Sequence, residues 1–315
     1  MKKITKELKV HVLISNIKLK YAAMIIRNTV LLVFSIFILL SCSKQTINNY
    51  GGGAPASNLL NVAYGTNTQQ QMDVYLPAGR STASTRVIIM IHGGAWSQGL
   101  GTRADVAVYV DTLKKRFPDY AIFNIDYRLF SLPNTNPFPT QELDVKSAVE
   151  FIYNKRGEYL TSDKFVLVGV SAGAHLSLLQ AYKYAIPVKI KAVVDFFGPT
   201  DLNDLYYNPG VIPPLNIAAI MNGTPTTNPT LYQQSSPINF VNATAACPTI
   251  ILQGSADPLV NAVRQSGALN DKLQIAGVPT EYALYNGKGH GDDWGSATFF
   301  DAFNRIEAFL RLYNP

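Results

Sequence analysis

The segment "VLVGVSAGAHLSLL", residues 167–180, decides the fold class. An apolar run meets a tight Gly-Val-Ser-Ala-Gly turn and continues as a predicted helix. Glycine-rich turns between strands and helices are common because glycine tolerates strained backbone angles. The same pattern is typical of a nucleophile elbow, which lifts a serine hydroxyl, here that of Ser171, to the top of a sheet. Three fixed residues in five positions occur by chance in roughly one chain of this length in ten. The turn therefore needs catalytic partners elsewhere in the sequence.

Predicted strands and helices alternate on both sides of this turn. The stretches "NVAYG" and "QMDVYLP" predict an opening hairpin, and "RVIIMIHGG" and "YAIFNIDYR" predict buried strands. Helices are predicted over 104–116, 141–155, 172–185, 259–275 and 297–313. This alternation predicts a mostly parallel central sheet flanked by helices. Residues 201–246 are rich in Pro, Asn, Gly and Tyr with little periodicity, which predicts a short cap insertion over the active edge of the sheet.

A serine nucleophile needs a base within hydrogen-bond reach. The chain has four histidines, His11, His92, His175 and His290. His11 lies in a predicted signal segment, and His175 follows the serine turn on the next helix, where we expect it to pack around the turn. His290 lies in "YNGKGHGDDW", directly after the last predicted strand. Because α/β sheets place reacting groups in loops at the carboxyl ends of strands, we predict that His290 is the base.

The acid that orients the base is expected between the serine and the histidine in chain order. Asp257 lies there, in "TIILQGSADPLV", four residues after a predicted buried strand. An aspartate in such a turn is also a common turn former or helix cap. Asp292 and Asp293 are the other candidates, but they lie too near His290 in sequence to reach its far ring nitrogen easily. We therefore predict Asp257 as the orienting acid.

An early loop, "IMIHGGAWSQG" at residues 89–99, offers a site for a developing negative oxygen. Backbone N–H groups can close on such an oxygen only where side chains do not intervene. We predict that His92 braces this loop and that Trp96 walls the substrate pocket, with core packing as the alternative for Trp96. The predicted oxyanion site has three N–H donors, those of Gly94, Ala95 and Ala172. Gly93 is predicted to shape the loop.

Six motifs in this order, "DVYLP", "IHGGAW", "DYR", "GVSAG", "GSADPLV" and "GKGH", resemble those of α/β-hydrolase carboxylesterases of the hormone-sensitive-lipase-like group. The chain is especially similar to the bifunctional feruloyl and acetyl esterases, from about Val62 to the C-terminus. This resemblance implies an α/β-hydrolase fold, a structural role for 126–128 near the oxyanion loop, and catalytic roles for Ser171, Asp257 and His290. The chain departs from the pattern at Ala95, where lipase relatives often have a third glycine, but alanine still offers its N–H.

The predicted function is two-step hydrolysis of short-chain acyl esters, with acetyl or feruloyl esters of small molecules or oligosaccharides as the substrate class. No metal or organic cofactor is predicted, because no Cys/His/Asp cluster has ligand spacing. The alternatives are an arylformamidase or a peptidase on the same fold, and a non-catalytic lipoprotein that binds glycans or proteins.

The N-terminus predicts export and a lipid anchor. The stretch "MIIRNTVLLVFSIFILLSCSK", residues 24–44, has a basic start, an apolar run and small residues before Cys42, which resembles the lipobox of bacterial lipoproteins. We predict a signal peptide over 1–41 with Met24 as an alternative start, lipidation at Cys42, a tether over 42–57 and a hydrolase domain over 58–315. A transmembrane anchor is the alternative, although the run is short for a span of ~20 apolar residues.

The charge of the chain is concentrated in the same segment. The formal net charge is +6, from 27 basic and 21 acidic residues, and residues 1–41 hold seven Lys or Arg and one acid, which leaves 20 of each in the remainder. The body of the protein is therefore neutral, and a nucleic-acid partner is not predicted. Of the two cysteines, Cys247 is predicted to be a buried apolar residue, so no internal disulfide is expected if Cys42 is lipidated.

Overall fold

The computed structural model describes residues 53–314 of the 315-residue chain. The predicted signal segment, the lipidation site at Cys42 and most of the predicted tether lie outside the described residues. Within residues 53–314, no helix combines the length and the apolar character needed to cross a membrane.

A single twisted sheet organises the described residues. Its strand order is β1-β2-β4-β3-β5-β6-β7-β8, with antiparallel pairing for β1 with β2 and for β2 with β4, and parallel pairing elsewhere. The strands are β1 (Ser57–Ala63), β2 (Gln71–Leu76), β3 (Val87–Ile91), β4 (Ala121–Ile125), β5 (Phe165–Val170), β6 (Ala192–Phe196), β7 (Thr249–Gly254) and β8 (Thr280–Tyr285). The predicted α/β fold with a mostly parallel sheet is confirmed.

Helices cover both faces of this sheet. They are α1 (Ala107–Arg116), α2 (Thr140–Asn154), α3 (Arg156–Tyr159), α4 (Ala172–Lys183), α5 (Leu202–Tyr207), α6 (Pro214–Ile220), α7 (Pro229–Gln234), α8 (Ala268–Ile275) and α9 (Ser296–Tyr313). A 3-10 turn precedes α1, and a π-helical turn at Ala262–Gly267 precedes α8, so the helix predicted from 259 begins three residues later than expected.

Two apolar cores lie on opposite faces of the sheet, because successive strand side chains alternate in direction. In β3, Ile89 and Ile91 pack in one core with α2, α4 and α8, whereas Ile88 and Met90 pack in the other with α1 and α9. The strands are buried on both faces, which explains why β3 and β5 read as continuous apolar runs rather than alternating ones. Cys247 is free and buried in the first core.

The predicted insertion over 201–246 folds as the three short helices α5, α6 and α7 and a 3-10 turn. Asp201 caps α5, where its Oδ1 accepts the N–H groups of Asn203 at 2.9 Å and Asp204 at 3.1 Å. Apolar side chains of α5 and α6 join the same core as α4. The insertion is therefore packed onto the α4 side of the sheet.

Helix α4 approaches β3 more closely than a side chain would permit. A Cβ built at Gly173 would lie 2.1 Å from the Ile91 carbonyl oxygen and 2.4 Å from that of His92. Only glycine allows this approach, which brings the first turn of α4 against the end of β3. The spacing of the two elements therefore depends on residue 173.

We expect Gly173→Ala to destabilise the protein by roughly 3 kcal/mol, since overpacking of this kind costs ~1–3 kcal/mol or more. For a domain of this size, that is a fall in Tm of roughly 6–12 °C in a thermal melt. The control is Gly157→Ala in α3, where an added Cβ meets nothing within 4 Å. Equal melting temperatures for the two variants would contradict the close-approach argument.

Candidate active site

The serine turn between β5 and α4 is strained and tightly held. Ser171 has φ 54° and ψ −119°, a conformation that is uncommon for a residue with a Cβ. Its N–H donates to the Phe196 carbonyl at 2.8 Å, which ties the turn to β6. Strain of this kind persists only where the surrounding structure imposes it, and it concentrates at functional sites.

The structure brings Ser171, His290 and Asp257 together at the carboxyl ends of β5, β8 and β7. The Nε2 atom of His290 lies 2.8 Å from Ser171 Oγ, and its Nδ1 atom lies 2.7 Å from Asp257 Oδ2. A carboxylate can only accept, so Nδ1 carries the proton and Nε2 is free to accept the serine proton. The arrangement has the contacts that a nucleophile, a base and an orienting acid require.

Several groups hold the Asp257 carboxylate in its charged form. Burial raises the pKa of Asp257, but the hydrogen bond and charge of His290 and the N–H groups of Val260 and Leu259 lower it more, so its net pKa lies below the usual value. The two N–H groups donate to Oδ1 at 3.0 and 2.8 Å, respectively. At neutral pH the aspartate is therefore ionised, as stabilisation of a protonated imidazole requires.

Gln253, at the end of β7, was not identified as a site residue from the sequence. Its Nε2 donates to Asp257 Oδ2 at 2.9 Å, and its Oε1 accepts from the Ser266 hydroxyl at 2.7 Å. The signal that could have identified it is a glutamine in a mostly apolar buried strand, four residues before the aspartate. The other two candidate acids do not contact the imidazole: Asp293 accepts the Gly289 N–H at 2.9 Å, and Asp292 lines the cleft.

The predicted oxyanion residues lie beside Ser171. Gly94 has φ +101° and Ala95 φ +46°, and among residues 53–314 their N–H groups donate to no protein acceptor. The N–H of Ala172 is the first of α4 and has no acceptor within its own helix. Gly93, Gly94, Ala95 and Ser171 line one cleft. Backbone donors are thus available where a carbonyl carbon would meet the serine hydroxyl.

His92 and Tyr127 brace the oxyanion turn from behind. His92 Nδ1 contacts the Gly93 carbonyl at 2.7 Å, and the Tyr127 hydroxyl donates to the carbonyls of His92 at 3.0 Å and Gly93 at 3.3 Å. The two rings stack with centroids 4.3 Å apart. Burial lowers the pKa of His92, so the ring is a neutral packing group. Both residues therefore position the turn rather than face the cleft.

The segment 126–128 joins this brace to the rest of the fold. Arg103 belongs to none of the sequence motifs. Its backbone N–H donates to Asp126 Oδ1 at 2.7 Å, and its Nε donates to Asp73 Oδ2 at 3.0 Å. Arg128 makes a paired contact with the buried carboxylate of Asp144, with Nε 2.8 Å from Oδ2. These ion pairs link the segment after β4 to the opening hairpin and to α2, next to the oxyanion turn.

The prediction that Trp96 walls the substrate pocket is wrong. Its side chain is 4 % exposed and packs edge-on against His175, with ring centroids 5.0 Å apart. The backbone is left-handed at both Ala95 and Trp96, and the indole lies in the core among apolar groups of the cap insertion. His175 is itself fully buried, with Nε2 2.7 Å from the Ser235 carbonyl, and burial lowers its pKa to about 4. Neither residue faces the cleft.

The cleft above Ser171 has a volume of about 820 Å³ and a largely apolar wall. Phe197 lies against the His290 ring, with centroids 4.5 Å apart, and Tyr109, Trp294 and Phe299 form an adjoining aromatic wall. Asp105 and Asp292 are its only acidic lining residues, and no lysine or arginine lines it within the described part of the chain. In residues 53–314, no group of three or more His, Cys, Asp or Glu side chains is placed to hold a metal ion.

Residues 72–273 match the family model described as BD-FAE. The chain belongs to the BD-FAE family. A probable isoprenylcysteine alpha-carbonyl methylesterase of Arabidopsis thaliana is 28% identical over 253 residues, covering 73% of this chain and 56% of the relative. Esterase LipC of Mycobacterium tuberculosis is 27% identical over 247 residues, covering 74% and 59%. This BD-FAE chain therefore spans just over half the length of these two relatives.

Two further proteins extend the comparison. A kynurenine formamidase of Meyerozyma guilliermondii is 27% identical over 234 residues, covering 70% of this chain and 83% of the relative. A structure described as a truncated form of a carbohydrate esterase from gut microbiota superposes with a TM-score of 0.70 at 24% identity, covering 84% of this chain and 99% of that one. At that identity the likeness shows the fold alone. The predicted family and the α/β-hydrolase fold are confirmed, and the named esterases agree with the predicted class, a serine ester hydrolase.

We expect Tyr127→Phe to lower kcat for p-nitrophenyl acetate by about tenfold with little change in KM. The variant lacks the hydroxyl that binds the carbonyls of His92 and Gly93 and so holds the oxyanion turn. The net free energy of one or two hydrogen bonds corresponds to about a tenfold change in rate.

Tyr120→Phe is the matched control for this variant. The Tyr120 hydroxyl is also buried and also donates to a backbone carbonyl, that of Asn314 at 3.0 Å, far from the serine in the fold. Similar thermal melts with a kcat loss confined to Tyr127→Phe support a positioning role, whereas equal kcat values for the two variants would exclude it.

Proposed function

We propose that this protein is a serine esterase in which Ser171 is the nucleophile, His290 the general base and Asp257 the orienting acid. One observation carries the proposal: His290 is hydrogen-bonded through Nε2 to Ser171 Oγ at 2.8 Å and through Nδ1 to Asp257 Oδ2 at 2.7 Å. This chain of contacts lies at an open cleft that has room for a substrate.

The geometry supports a two-step mechanism. Ser171 Oγ attacks the ester carbonyl carbon while His290 Nε2 takes the serine proton. The protonated imidazole then gives that proton to the departing alcohol, and the acyl group stays on Ser171. In the second step His290 takes a proton from a water molecule, which attacks the acyl carbonyl carbon. The bond from this carbon to Ser171 Oγ then breaks, the imidazolium returns the proton to Ser171 Oγ, and the acid is released. Asp257 remains ionised throughout and stabilises the imidazolium.

The oxyanion of each tetrahedral intermediate is assigned to the N–H groups of Gly94, Ala95 and Ala172. These donors are already oriented by the turn and by the start of α4, so they need no reorganisation when charge develops. Electrostatic stabilisation of this kind is commonly the largest single contribution to acyl transfer, and loss of one donor costs ~10²–10³-fold in kcat.

Ser171→Ala and His290→Ala are each expected to lower kcat for p-nitrophenyl acetate on the order of 10⁴-fold or more, because nucleophile and base act as a unit. Asp257→Asn is expected to cost about 10⁴-fold or somewhat less, since it stabilises the wrong imidazole tautomer. Circular dichroism and thermal melts of each variant provide the folding control. Near-normal activity in folded Ser171→Ala protein would reject the proposed function.

The proposed substrates are short-chain acyl esters, in particular acetyl or feruloyl esters of carbohydrates. The resemblance of the six sequence motifs to those of feruloyl and acetyl esterases supports this class. The aromatic wall of Tyr109, Trp294 and Phe299 offers apolar surface for a small acyl or aryl group. In the cap insertion, α5, α6 and α7 have six, seven and six residues, too short to form the broad apolar face of an interfacial lid.

A second candidate, an arylformamidase activity, is favoured by the similarity to the kynurenine formamidase, of which the matched segment covers 83%. Hydrolysis of an N-formyl group uses the same nucleophile, base and oxyanion donors as ester hydrolysis. The aromatic wall also fits an aryl amine as the leaving group. The two activities therefore use the same catalytic residues and differ in whether the cleft places an ester bond or an N-formyl amide bond at Ser171.

A substrate panel separates these activities. We expect kcat/KM to be highest for acetyl and other short p-nitrophenyl esters and to fall steeply beyond about six to eight carbons, because each further methylene needs apolar room in the cleft. N-formylkynurenine is measured in parallel and is expected to be the poorer substrate. A maximum at long chains, or a jump in rate at an emulsion interface, would identify a lipase, and a preference for N-formylkynurenine would identify a formamidase.

We further propose that the protein is an exported lipoprotein anchored through Cys42. The support is the sequence "LLSC" at 39–42 after a signal-type apolar run, and the polar segment that follows it. Lipid chains contribute ~0.8 kcal/mol for each buried CH₂ group, so a lipidated cysteine would hold the esterase domain at a membrane surface.

Metabolic labelling with palmitate in a bacterial host tests the anchor. We expect label in the wild-type protein and none in Cys42→Ala, together with partition of the wild type into the detergent phase. The buried Cys247 is the matched control, and Cys247→Ala is expected to retain the label. An unlabelled, soluble wild-type protein would refute the proposal.

A further inference from the structure

A second cavity, here called the distal cavity, lies beside the catalytic cleft. Its volume is about 430 Å³, within the ~300–1,000 Å³ typical of ligand pockets. Leu100 lines both the distal cavity and the cleft that contains Ser171. The two cavities therefore adjoin, and a substrate that extends from the serine past Leu100 would enter the distal cavity.

Three segments build the distal cavity, and backbone hydrogen bonds hold them together. Two hydrogen bonds join the residues after the oxyanion turn to the segment after β4. The Gln98 N–H donates to the Phe130 carbonyl at 2.8 Å, and the Phe130 N–H donates to the Trp96 carbonyl at 2.9 Å. The cap helix α6 is tied to the same region through the Phe138 N–H and the Ile220 carbonyl at 2.8 Å. The cavity walls are thus preformed and continuous with the catalytic turn.

The lining combines neutral polar side chains with apolar ones. Gln98, Ser131 and Asn216 line the cavity, and within residues 53–314 their side chains make no hydrogen bond to protein. Leu100 and Leu132, which are exposed, add apolar surface. No charged residue lines the cavity in the described part of the chain. Amides and a hydroxyl can both donate and accept, so the free groups match a ligand that carries several hydroxyls.

We infer that the distal cavity is a subsite for a neutral glycosyl unit next to the one that carries the scissile acyl ester. The inference rests on the proposed esterase function and narrows its substrate class to acylated oligosaccharides. A sugar ring presents hydroxyls at its rim, which the side chains of Gln98, Ser131 and Asn216 bind, and C–H groups on its faces, which pack on Leu100 and Leu132.

Other occupants fit the lining less well. A long acyl chain would remove the two amides and the hydroxyl from water without offering them partners, and unpaired polar groups of this kind are costly to bury. An anionic or cationic unit would find no counter-charge among the lining residues. A neutral ligand with hydrogen-bonding groups gives the polar side chains partners and needs no counter-charge.

The test compares monoacetylated xylose, glucose and mannose with the corresponding 1,4-linked disaccharides acetylated at the same position. In the wild-type protein, kcat/KM for at least one disaccharide is expected to exceed that of its monosaccharide by about tenfold, the effect of one or two net hydrogen bonds. Each rate is divided by the same variant's rate on p-nitrophenyl acetate, which carries no glycosyl unit.

Two variants test whether the higher kcat/KM for the disaccharide, the disaccharide gain, arises in the distal cavity, and a third variant is the control. Ala219→Phe fills the distal cavity and is expected to abolish the disaccharide gain, whereas Asn216→Ala removes one hydrogen-bonding side chain and is expected to reduce it about threefold. Ala218→Phe adds the same bulk to the adjacent position of α6, which does not line the cavity, and is expected to keep the gain. If Ala219→Phe fails to fold, Asn216→Ala decides the test.

The outcomes separate this subsite from the esterase function. Hydrolysis of simple acetates without any disaccharide gain, or a gain that persists in Ala219→Phe and Asn216→Ala, overturns the subsite and leaves the esterase proposal standing. A gain for p-nitrophenyl octanoate that Ala219→Phe removes, with no disaccharide gain, assigns the cavity to an acyl chain and also overturns it. Absence of hydrolysis for every ester overturns both.

Discussion

The close approach of α4 to the end of β3 is the constraint on which the site depends. Gly173 lets the helix begin against the Ile91 carbonyl, and the turn that connects β5 to this helix must then place Ser171 at φ 54°. The same approach sets the Ala172 N–H near the oxyanion turn that follows β3. One steric condition therefore places Ser171, the proposed nucleophile, and two groups of backbone donors beside it. The hydrogen bond from the Ser171 N–H to the Phe196 carbonyl holds the strained turn in place.

The three described histidines are separated in role by their surroundings. His175 is enclosed by the core and its pKa falls to about 4, and burial also lowers the pKa of His92. Both remain neutral hydrogen-bonding groups that hold the cap insertion and the oxyanion turn. His290 lies instead between the Ser171 hydroxyl and the Asp257 carboxylate, in hydrogen-bond contact with both. Of the three described histidines, only His290 contacts both a serine hydroxyl and a carboxylate, which is the arrangement that the proposed general base requires.

The cap insertion connects these roles to substrate choice. Its short helices are fixed to the catalytic half of the fold by the contact of His175 with the Ser235 carbonyl and by apolar packing against α4. Helix α6 then supplies one wall of the distal cavity, while aromatic side chains from α9 and from the loops after β6 and β8 line the cleft above the serine. An apolar cleft beside a cavity with neutral polar groups is the structural basis of the proposed substrate, an ester between a small acyl group and a sugar.

Local sequence patterns were sufficient for the alternation of strands and helices, the serine turn and the three residues that meet there. Each of these follows from side-chain periodicity, glycine placement and chain order, which act over short stretches. Only the tertiary structure showed where Trp96 lies and where the two cavities are. It also showed that Gln253 binds Asp257 and that Arg103 binds Asp126. An indole beside a glycine-rich turn can face a cleft or a core, and only the left-handed backbone at Ala95 and Trp96 sends it inward. Cavities and ion pairs join residues distant in sequence, so no local pattern encodes them and packing alone decides them.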